Sequence, residues 1–235
     1  MNPLIPRAWL AGLRRRLVGG RFRKSYAQCG EDLIARHLLQ DVLGRKAITY
    51  LDVGAHDPWF LSNTALFYEM GFSGVCVEPD PTLYRNLRRY RRRDICLNAG
   101  VAAGEGKEAD FYVLSARTLS TFSKEEADRA IAQGYRLDAT VRVSLLSLNT
   151  LLQDYFPRCP EFVSIDVEGL DELILRSMDF DRFRPDVISA ETLLHSAGSQ
   201  PGTKNDKIRA LMDDHDYSPY GDTHINTIFV NRRLW

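Results

Sequence analysis

The sequence predicts an α/β fold in which a mostly parallel sheet carries helices on both faces. Short apolar runs alternate along the chain with segments of helical periodicity, and this alternation is the pattern of βαβ units. Polar residues directly follow several of these runs, at the edge where open parallel sheets bind their ligands. The last two predicted strands are joined by a short loop, so we expect them to add an antiparallel pair.

Length and composition indicate one globular domain with some additional structure. The chain has 235 residues, of which 44% are hydrophobic and 26% are charged, as in an ordinary globular protein. Basic and acidic residues both number 31, a balance that argues against an extended nucleic-acid surface. No run approaches the roughly 20 apolar residues of a membrane span. The four cysteines form neither a C-x-x-C pair nor a dense framework, which favours a reducing, cytoplasmic compartment.

The N-terminal segment, residues 1–24, differs in composition from the domain expected over 25–235. Its apolar residues would share one side of a helix, with arginines on the flanks. This pattern is compatible with peripheral contact at the inner face of an anionic membrane. Arginines interrupt the apolar run, which argues against a secretory signal. A solvated helix or a disordered tail remains the alternative.

The first half of the domain begins with a helical stripe and then follows the βα pattern. We predict helices over 31–43, over 62–70 and from 80 onward, and strands over 48–53, 74–78 and 95–101. Ser62 can cap the second helix, which Gly71 would end. Asp80 and Pro81 provide a cap and a first-turn proline for the third helix. Its periodicity predicts that Leu83, Leu87 and Tyr90 face inward.

The second half contains an insertion and then returns to the βα pattern. The expected insertion covers 102–146, with strands over 111–114 and 141–145 and a helix over 124–133. After it we predict a helix from Ser147 to Tyr155, a helix from about Leu170, and strands over 162–166, 187–190 and 225–230, the last paired with a strand near 216. This part is expected to complete the sheet.

Two strand ends indicate a nucleoside-binding edge. Asp52 and Gly54 follow the first strand, and Glu78 ends the second, about one βα unit later. Glycine lets the backbone approach a ligand, and a carboxylate can accept hydrogen bonds from both ribose hydroxyls. Asp52 can alternatively act as a turn acid that caps the next helix, and Glu78 as a solvated strand end.

The glycine pattern disfavours a dinucleotide cofactor. A pyrophosphate site requires G-x-G-x-x-G at a helix N-terminus, whereas Gly54 is followed by His56 and Pro58. The absence of the two later glycines matters less for a sulfonium nucleoside such as S-adenosylmethionine, which has no phosphate to bind. The alternatives left open are a nucleotide-dependent oxidoreductase of Rossmann type and a non-catalytic adaptor of the glycan machinery.

The chain resembles the FkbM-type S-adenosylmethionine-dependent methyltransferases over nearly all of residues 25–235. Blocks carry the resemblance at 25–32, 51–58, 62–64, 77–79, 164–169, 184–185 and 226–228. It implies a class I methyltransferase (Rossmann-like) fold, with a seven-stranded sheet whose C-terminal strand is antiparallel. It also implies O-methylation of a hydroxyl on a saccharide, glycolipid or related small molecule.

The resemblance also implies a set of cofactor-binding residues. These are Gln28, Glu31, Asp52, Gly54, Ala55, Asn63, Glu78 and Asp166. The insertion and the segment 195–224 are less uniform across such proteins, so they leave the acceptor unassigned. We expect a small-molecule or glycan acceptor and no nucleic acid; the sequence does not indicate an oligomeric state.

Methyl transfer to a hydroxyl needs a group that assists loss of the proton. The candidates are His195, Asp166 and Glu191, each close after a predicted strand. His195 can equally be a surface histidine in a loop rich in serine and glycine. The acids, together with Glu168, could instead hold acceptor hydroxyls or a divalent metal; a metal is possible but not favoured.

Six arginines lie within residues 85–93. Such a run is conceivable as a patch for nucleic acid or acidic lipid. A solvated helix face is the more common cause, and that is the interpretation adopted from the sequence.

Overall fold

The computed structural model describes residues 24–104, 107–167, 169–193 and 203–235. The strands in these ranges are β1 Thr49–Val53, β2 Ser73–Val77, β3 Ile95–Leu97, β4 Gly100–Ala102, β5 Glu108–Leu114, β6 Leu137–Ser147, β7 Phe162–Ile165, β8 Val187–Glu191, β9 Tyr217–Asp222 and β10 Asn226–Asn231. The helices are α1 Glu31–Arg36, α2 Ala65–Glu69, α3 Pro81–Tyr90, α4 Lys124–Ala132, α5 Leu148–Tyr155, α6 Asp171–Arg176 and α7 Asp206–Asp214. A π-helical turn, His37–Val42, continues α1.

The main sheet has seven strands in the order β3-β2-β1-β7-β8-β10-β9 among the described residues. The pairs from β3 to β8 are parallel, and β10 is antiparallel to both of its neighbours. This arrangement confirms the predicted fold, a mostly parallel sheet with an antiparallel C-terminal strand. From β1 to β3 the strands are added on one side of β1, and from β7 onward they are added on its other side. Such a reversal of strand order places a ligand crevice at the carboxyl ends of β1 and β7.

Two apolar clusters cover the two faces of the main sheet. Leu51 and Val53 belong to the cluster formed with α5, α6 and α7. Tyr50, which precedes Leu51 in β1, belongs to the cluster formed with α1 and α2. Successive side chains of a strand point to opposite faces, so β1 contributes to both layers of the core. The main sheet is therefore buried on both sides at its centre.

The insertion forms a second, three-stranded sheet in the order β4-β6-β5. The predicted strand 95–101 is divided between the two sheets, because β3 pairs with β2 and β4 pairs with β6. Asn98, at the division, donates its side-chain amide to the carbonyls of Glu78 and Pro79, each at 2.9 Å. β6 extends from Leu137 to Ser147 and is much longer than the strand predicted there.

Most predicted helix starts agree with the structure. The Asp80 carboxylate accepts from the amides of Thr82 and Leu83 at the start of α3, and the Ser147 hydroxyl accepts from Thr150 N at the start of α5. The prediction that Tyr90 faces inward is wrong, because Tyr90 is half exposed while the neighbouring Arg91 is fully buried. No helix in the described ranges is long and apolar enough to cross a bilayer.

Candidate active site

A cavity of about 780 Å³ lies at the carboxyl ends of β1, β2, β7 and β8, within the range typical of small-molecule sites. The β1–β2 end is bounded by Gly54, Glu78 and Ala99, and the β7–β8 end by Asp166, Glu191 and Ile225. Residues of the second sheet and of the segment 117–133 also line the cavity. The cavity thus lies where the topology of the main sheet predicts a ligand.

Gly54 forms a turn that brings two strand ends together. Its φ is +81°, and an added Cβ would lie 1.9 Å from the backbone oxygen of Asp166. The amides of Gly54 and Ala55 both donate to the Val77 carbonyl, at 3.0 and 3.1 Å. Only glycine combines this left-handed conformation with so close an approach of two backbones. The turn is therefore fixed by the backbones of three neighbouring strands.

Glu78 presents its carboxylate to the cavity from the end of β2. Its two oxygens accept from the backbone amides of His56 and Asp80, each at 2.8 Å. Burial raises the pKa of Glu78 to about 8, and these two amide bonds oppose the shift. A carboxylate has about four acceptor positions, so an acceptor position remains on each oxygen for a ligand. The side chain is oriented before any ligand binds.

His56 lines the same end of the cavity. Its φ of +53° is unusual for a residue with a side chain. Both ring nitrogens are buried and lack a hydrogen bond of ordinary geometry to any described residue. Burial lowers the pKa of His56, and the backbone of Phe60 has a smaller opposing effect. The ring is therefore neutral near pH 7.

Asp166 and Glu191 lie side by side at the β7–β8 end. Ile165 of β7 pairs with Ala190 of β8, and Asp166 and Glu191 are the next residues along each chain segment. Both acids line the cavity. Burial raises the pKa of Glu191 to about 8, with the negative charge of Asp166 as the next cause. Two neighbouring carboxyl groups hold a shared proton more readily than either does alone. The pair can therefore accept or donate a proton near neutral pH.

Asp52 does not line the cavity. Its side chain is fully buried on the Tyr50 face of β1, where it accepts from the Thr64 hydroxyl at 2.5 Å. Burial raises the pKa of Asp52, and the charge of Arg91 opposes this shift. The carboxylate thus lies beneath the turn at Gly54, on the opposite face of the sheet from the cavity.

Arg91 is the centre of a buried polar network on that face. The guanidinium donates to the Asp94 carboxylate at 2.8 Å and to Ser62 Oγ at 3.2 Å. It also donates to Tyr50 Oη at 3.0 Å and to Thr64 Oγ1 at 2.9 Å. Both charged side chains of the Arg91–Asp94 ion pair are fully buried. The network links α3 to the end of β1 and to the start of α2.

The remaining predicted cofactor residues divide into one that lines the cavity and three that do not. Gln28 lines it. Glu31 is buried and accepts from Thr223 Oγ1 at 2.6 Å, and Asn63 donates to Ser164 Oγ at 3.0 Å. Ala55 is buried in the apolar cluster with α1 and α2. These three join segments around the site.

Three sequence predictions lie outside the described residues. They are His195, Glu168 and the helix expected within residues 1–23. Within the described ranges, no group of three or more histidine, cysteine, aspartate and glutamate side chains has metal-site geometry.

The insertion, residues 102–146, supplies cavity residues that sequence analysis missed. Phe111 and Phe122 line the cavity with their ring centroids 4.8 Å apart. Arg117 also lines it, and donates to the buried Asp80 carboxylate at 3.0 Å. The aromatic pair has a weak signal in the sequence, since Phe111 begins a predicted strand. Arg117 has none, because only the tertiary fold brings it to Asp80.

A family model described as the methyltransferase FkbM domain matches residues 52–219, which include the strand ends and the acids of the cavity. The chain belongs to the FkbM methyltransferase family. It is an S-adenosylmethionine-dependent methyltransferase with the class I fold. A search of curated proteins gave no significant match.

Solved methyltransferase structures are also similar to this FkbM methyltransferase. The 1,6-didemethyltoxoflavin-N1-methyltransferase of Burkholderia thailandensis, with S-adenosylhomocysteine bound, is 14% identical with a TM-score of 0.41, covering 98% of this chain and 90% of that one. The TehB-like SAM-dependent methyltransferase of Corynebacterium glutamicum is 8% identical with a TM-score of 0.45, covering 96% and 98%. The O-methyltransferase of Bacillus cereus in complex with SAH is 12% identical with a TM-score of 0.43, covering 97% and 91%. At these sequence identities and TM-scores, the similarity does not indicate which acceptor this protein uses.

Proposed function

We propose that this FkbM methyltransferase methylates a hydroxyl group on a saccharide, glycolipid or related small molecule. The observation that carries the proposal is the orientation of the Glu78 carboxylate, which two backbone amides hold at the wall of a cavity beside the Gly54 turn. S-adenosylmethionine supplies an electrophilic methyl group on a sulfonium centre.

The β1–β2 end fits the nucleoside of that cofactor. The free acceptor positions of Glu78 suit the two hydroxyls of a ribose, which are adjacent and both donate. Gly54 lets the turn pack directly against the Asp166 backbone, which any side chain would prevent. Gln28 lines the same cavity and offers both a donor and an acceptor. Asp52 and Asn63 then act from outside the cavity, because they hold the Gly54 turn and the loop that follows it in place.

The β7–β8 end fits the acceptor. Glu191 has a pKa of about 8, and a base works best when its pKa lies near the working pH. We assign Glu191 as the group that accepts the proton lost by the acceptor hydroxyl. Asp166, its neighbour, holds the hydroxyl and raises the basicity of Glu191. His195 stays a second candidate for the same role. The proposed proton transfer does not require a metal.

The other functions considered from the sequence have less support. A dinucleotide would need free amides at a glycine-rich helix start, but α2 is only five residues long and begins well after Gly54. A non-catalytic adaptor would not need Glu78 held toward an open cavity. The acidic residues of the cavity, such as Glu78 and Asp166, favour a neutral or cationic acceptor over an anionic one.

Calorimetry with S-adenosylhomocysteine tests the cofactor role of Glu78. Glu78→Ala should weaken binding by about 1–3 kcal/mol, because it removes the acceptors for the ribose. Asp154→Ala is the matched control, since Asp154 is an exposed acid on α5, and it should leave binding unchanged. An unaltered affinity of the Glu78 variant would refute the assigned role.

Transfer of a radiolabelled methyl group tests the acceptor class. The protein is incubated with labelled cofactor and with separated polysaccharide, lipid and protein fractions of a cell envelope. Label in the polysaccharide or glycolipid fraction, stable to mild base, supports an ether on a sugar hydroxyl. Label only in the protein fraction would reject a saccharide acceptor.

We also propose that residues 1–24 form a segment separate from the methyltransferase domain of 25–235. Its arginines and apolar residues support peripheral contact with the inner face of a membrane and a cytoplasmic location for the domain. A fusion of residues 1–24 to a fluorescent protein that stayed diffuse at low salt would reject this contact.

A further inference from the structure

Charge is distributed very unevenly along this chain. Residues 1–24 and 85–93 together hold 13 of the 31 basic residues and none of the 31 acidic ones. The rest of the chain is therefore strongly acidic, although the whole has a net charge of zero. Such a separation of charge directs a protein toward an anionic partner on its basic side.

Five of the six arginines of the second region are exposed, and the sixth, Arg91, is buried. Arg85, Arg88 and Arg89 follow each other at helical spacing on α3, opposite the buried Leu83 and Leu87. Arg92 and Arg93 lie in the turn after the helix and are also exposed, and the Arg93 guanidinium packs against the Tyr68 ring. We call these five residues the arginine face.

No member of the arginine face has an ion-pair partner among the described residues. Arg85 and Arg92 donate only to groups of their own helix, and Arg93 donates to the Tyr68 carbonyl. By contrast, exposed arginines elsewhere, such as Arg136 and Arg142, pair with carboxylates. The five positive charges are thus available to a partner.

Exposed apolar side chains lie at the border of the arginine face, with the Tyr90 ring 5.4 Å from the Arg89 guanidinium. Tyr90 is 50% exposed, Ile95 on the edge strand β3 is 47% exposed, and Met70 after α2 is 39% exposed. The Tyr68 ring joins these segments, because it lies 3.8 Å below the Arg93 guanidinium and its hydroxyl donates to the Tyr90 carbonyl at 3.3 Å. The surface therefore mixes cations with aromatic and aliphatic groups.

We propose that the arginine face, with Met70, Tyr90 and Ile95, binds the surface of an anionic membrane. Arginines bind lipid phosphates, while tyrosine and aliphatic side chains enter the interfacial region. Nucleic acid would use the same cations, but the aliphatic Met70 and Ile95 have no role in contacts to bases or phosphates. The lipid surface is therefore the partner that accounts for the whole face.

The arginine face and the cavity lie toward opposite edges of the main sheet. α3 begins at Pro81, two residues after the cavity residue Pro79, and runs back to the start of β3. The binding itself does not depend on the proposed methyl transfer.

Vesicle sedimentation of the full chain tests the proposal. The vesicles contain phosphatidylcholine alone or with 30% phosphatidylglycerol, so the mixed vesicles carry about a third anionic lipid. The face variant is R88Q/R89Q/R92Q, and R136Q/R142Q/R158Q is the control with the same change of charge elsewhere. A third variant, R14Q/R15Q/R16Q, measures what the N-terminal segment contributes.

We expect the wild type and the control to bind only the anionic vesicles. The face variant should bind them about a hundredfold more weakly, at about fivefold for each arginine, and its affinity for S-adenosylhomocysteine should be unchanged. That cofactor measurement also shows that the variant is folded and separates this proposal from the proposed function.

Three results would overturn the inference. The face variant could bind anionic vesicles as tightly as the control, with only the N-terminal variant weakened. The wild type could fail to bind vesicles and bind polyuridylate through the same arginines, which would identify nucleic acid as the partner. It could also bind free inorganic phosphate as strongly as vesicles, which would identify an isolated anion site.

Discussion

The two ends of the cavity are built in different ways. At the β1–β2 end, backbone groups fix the site, because Gly54 hydrogen-bonds to Val77 and the Glu78 carboxylate is held by two amides. At the β7–β8 end, the chemistry comes from two side chains, Asp166 and Glu191, at neighbouring strand tips. A site fixed by backbone tolerates few substitutions, whereas side chains can be exchanged without altering the sheet.

This difference agrees with the proposal that the β1–β2 end binds the cofactor and the β7–β8 end binds the acceptor. The β1–β2 end is also supported from the other face of the sheet, where the buried Arg91 network meets Asp52 and Thr64. Within the described residues, the β7–β8 end has no comparable buried arginine beneath it. We therefore expect stability to depend on the first end and acceptor chemistry on the second.

The largest effect is expected from Arg91→Met. The substitution removes the cation from a fully buried ion pair and leaves the Asp94 carboxylate uncompensated. Loss of one partner of a buried pair costs about 3–5 kcal/mol, measured as the free energy of unfolding in urea. The control is Arg142→Met, which breaks exposed pairs with Glu108 and Asp110 and should cost less than about 1 kcal/mol. Equal losses in both variants would show that the network does not support this end of the site.

The next largest effect is expected from Gly54→Ala. The new Cβ would meet the Asp166 backbone oxygen at 1.9 Å, in a left-handed conformation, and the two costs together reach about 2–4 kcal/mol of unfolding free energy. Gly71→Ala is the control, because Gly71 has a φ of +98° but nothing within 4 Å of the added Cβ. The difference between the two variants isolates the clash. A difference near zero would mean that the strands can separate at the turn.

Much of the β1–β2 end was predictable because its signals are local. Gly54 and Glu78 directly follow apolar runs, and strand ends of a parallel sheet meet at one edge. The face of the sheet on which Asp52 lies was harder to predict. β1 is buried on both faces, so its sequence does not alternate between polar and apolar residues in a way that would identify the two faces. The fold class was also predictable, because short apolar runs alternate along the chain with segments of helical periodicity.

The buried role of Arg91 could not be predicted, because its partners come from distant parts of the sequence. It lies in a run of arginines that are otherwise exposed, and only Asp94 is nearby in the chain. Tyr50, Ser62 and Thr64 reach it through the tertiary fold. The same reason explains the missed cavity wall, where Arg117 of the insertion meets Asp80.

At the β7–β8 end, Glu191→Gln should affect the rate and not the cofactor. Loss of the proposed proton acceptor should lower kcat by about 100-fold, while the affinity for S-adenosylhomocysteine should not change. Glu172→Gln is the control, because Glu172 also lines the cavity but is paired with Arg176. Single-turnover transfer to the acceptor and calorimetry give the two readouts. An equal loss of cofactor affinity would show that the two ends are not separate.

A further expected effect is a pH dependence of nucleoside binding, which we assign to the β1–β2 end. Burial raises the pKa of Glu78 to about 8, so the carboxyl is mostly protonated at pH 6 and ionised at pH 9. The ribose hydroxyls need the ionised form, and affinity should therefore rise with pH, by up to about tenfold per unit below 8, and level off above it. Adenosine is the probe, because it carries the ribose without the charges of the amino-acid part.

Two variants assign this slope to one of the two buried acids. Glu78→Gln should remove the slope, whereas Glu191→Gln should keep it, although the pKa of Glu191 is also about 8. Calorimetric titration with adenosine at pH 6, 7, 8 and 9 measures the slope for each protein. If the slope disappeared in the Glu191 variant instead, the nucleoside would bind at the β7–β8 end and the assignment of the two ends would have to be exchanged.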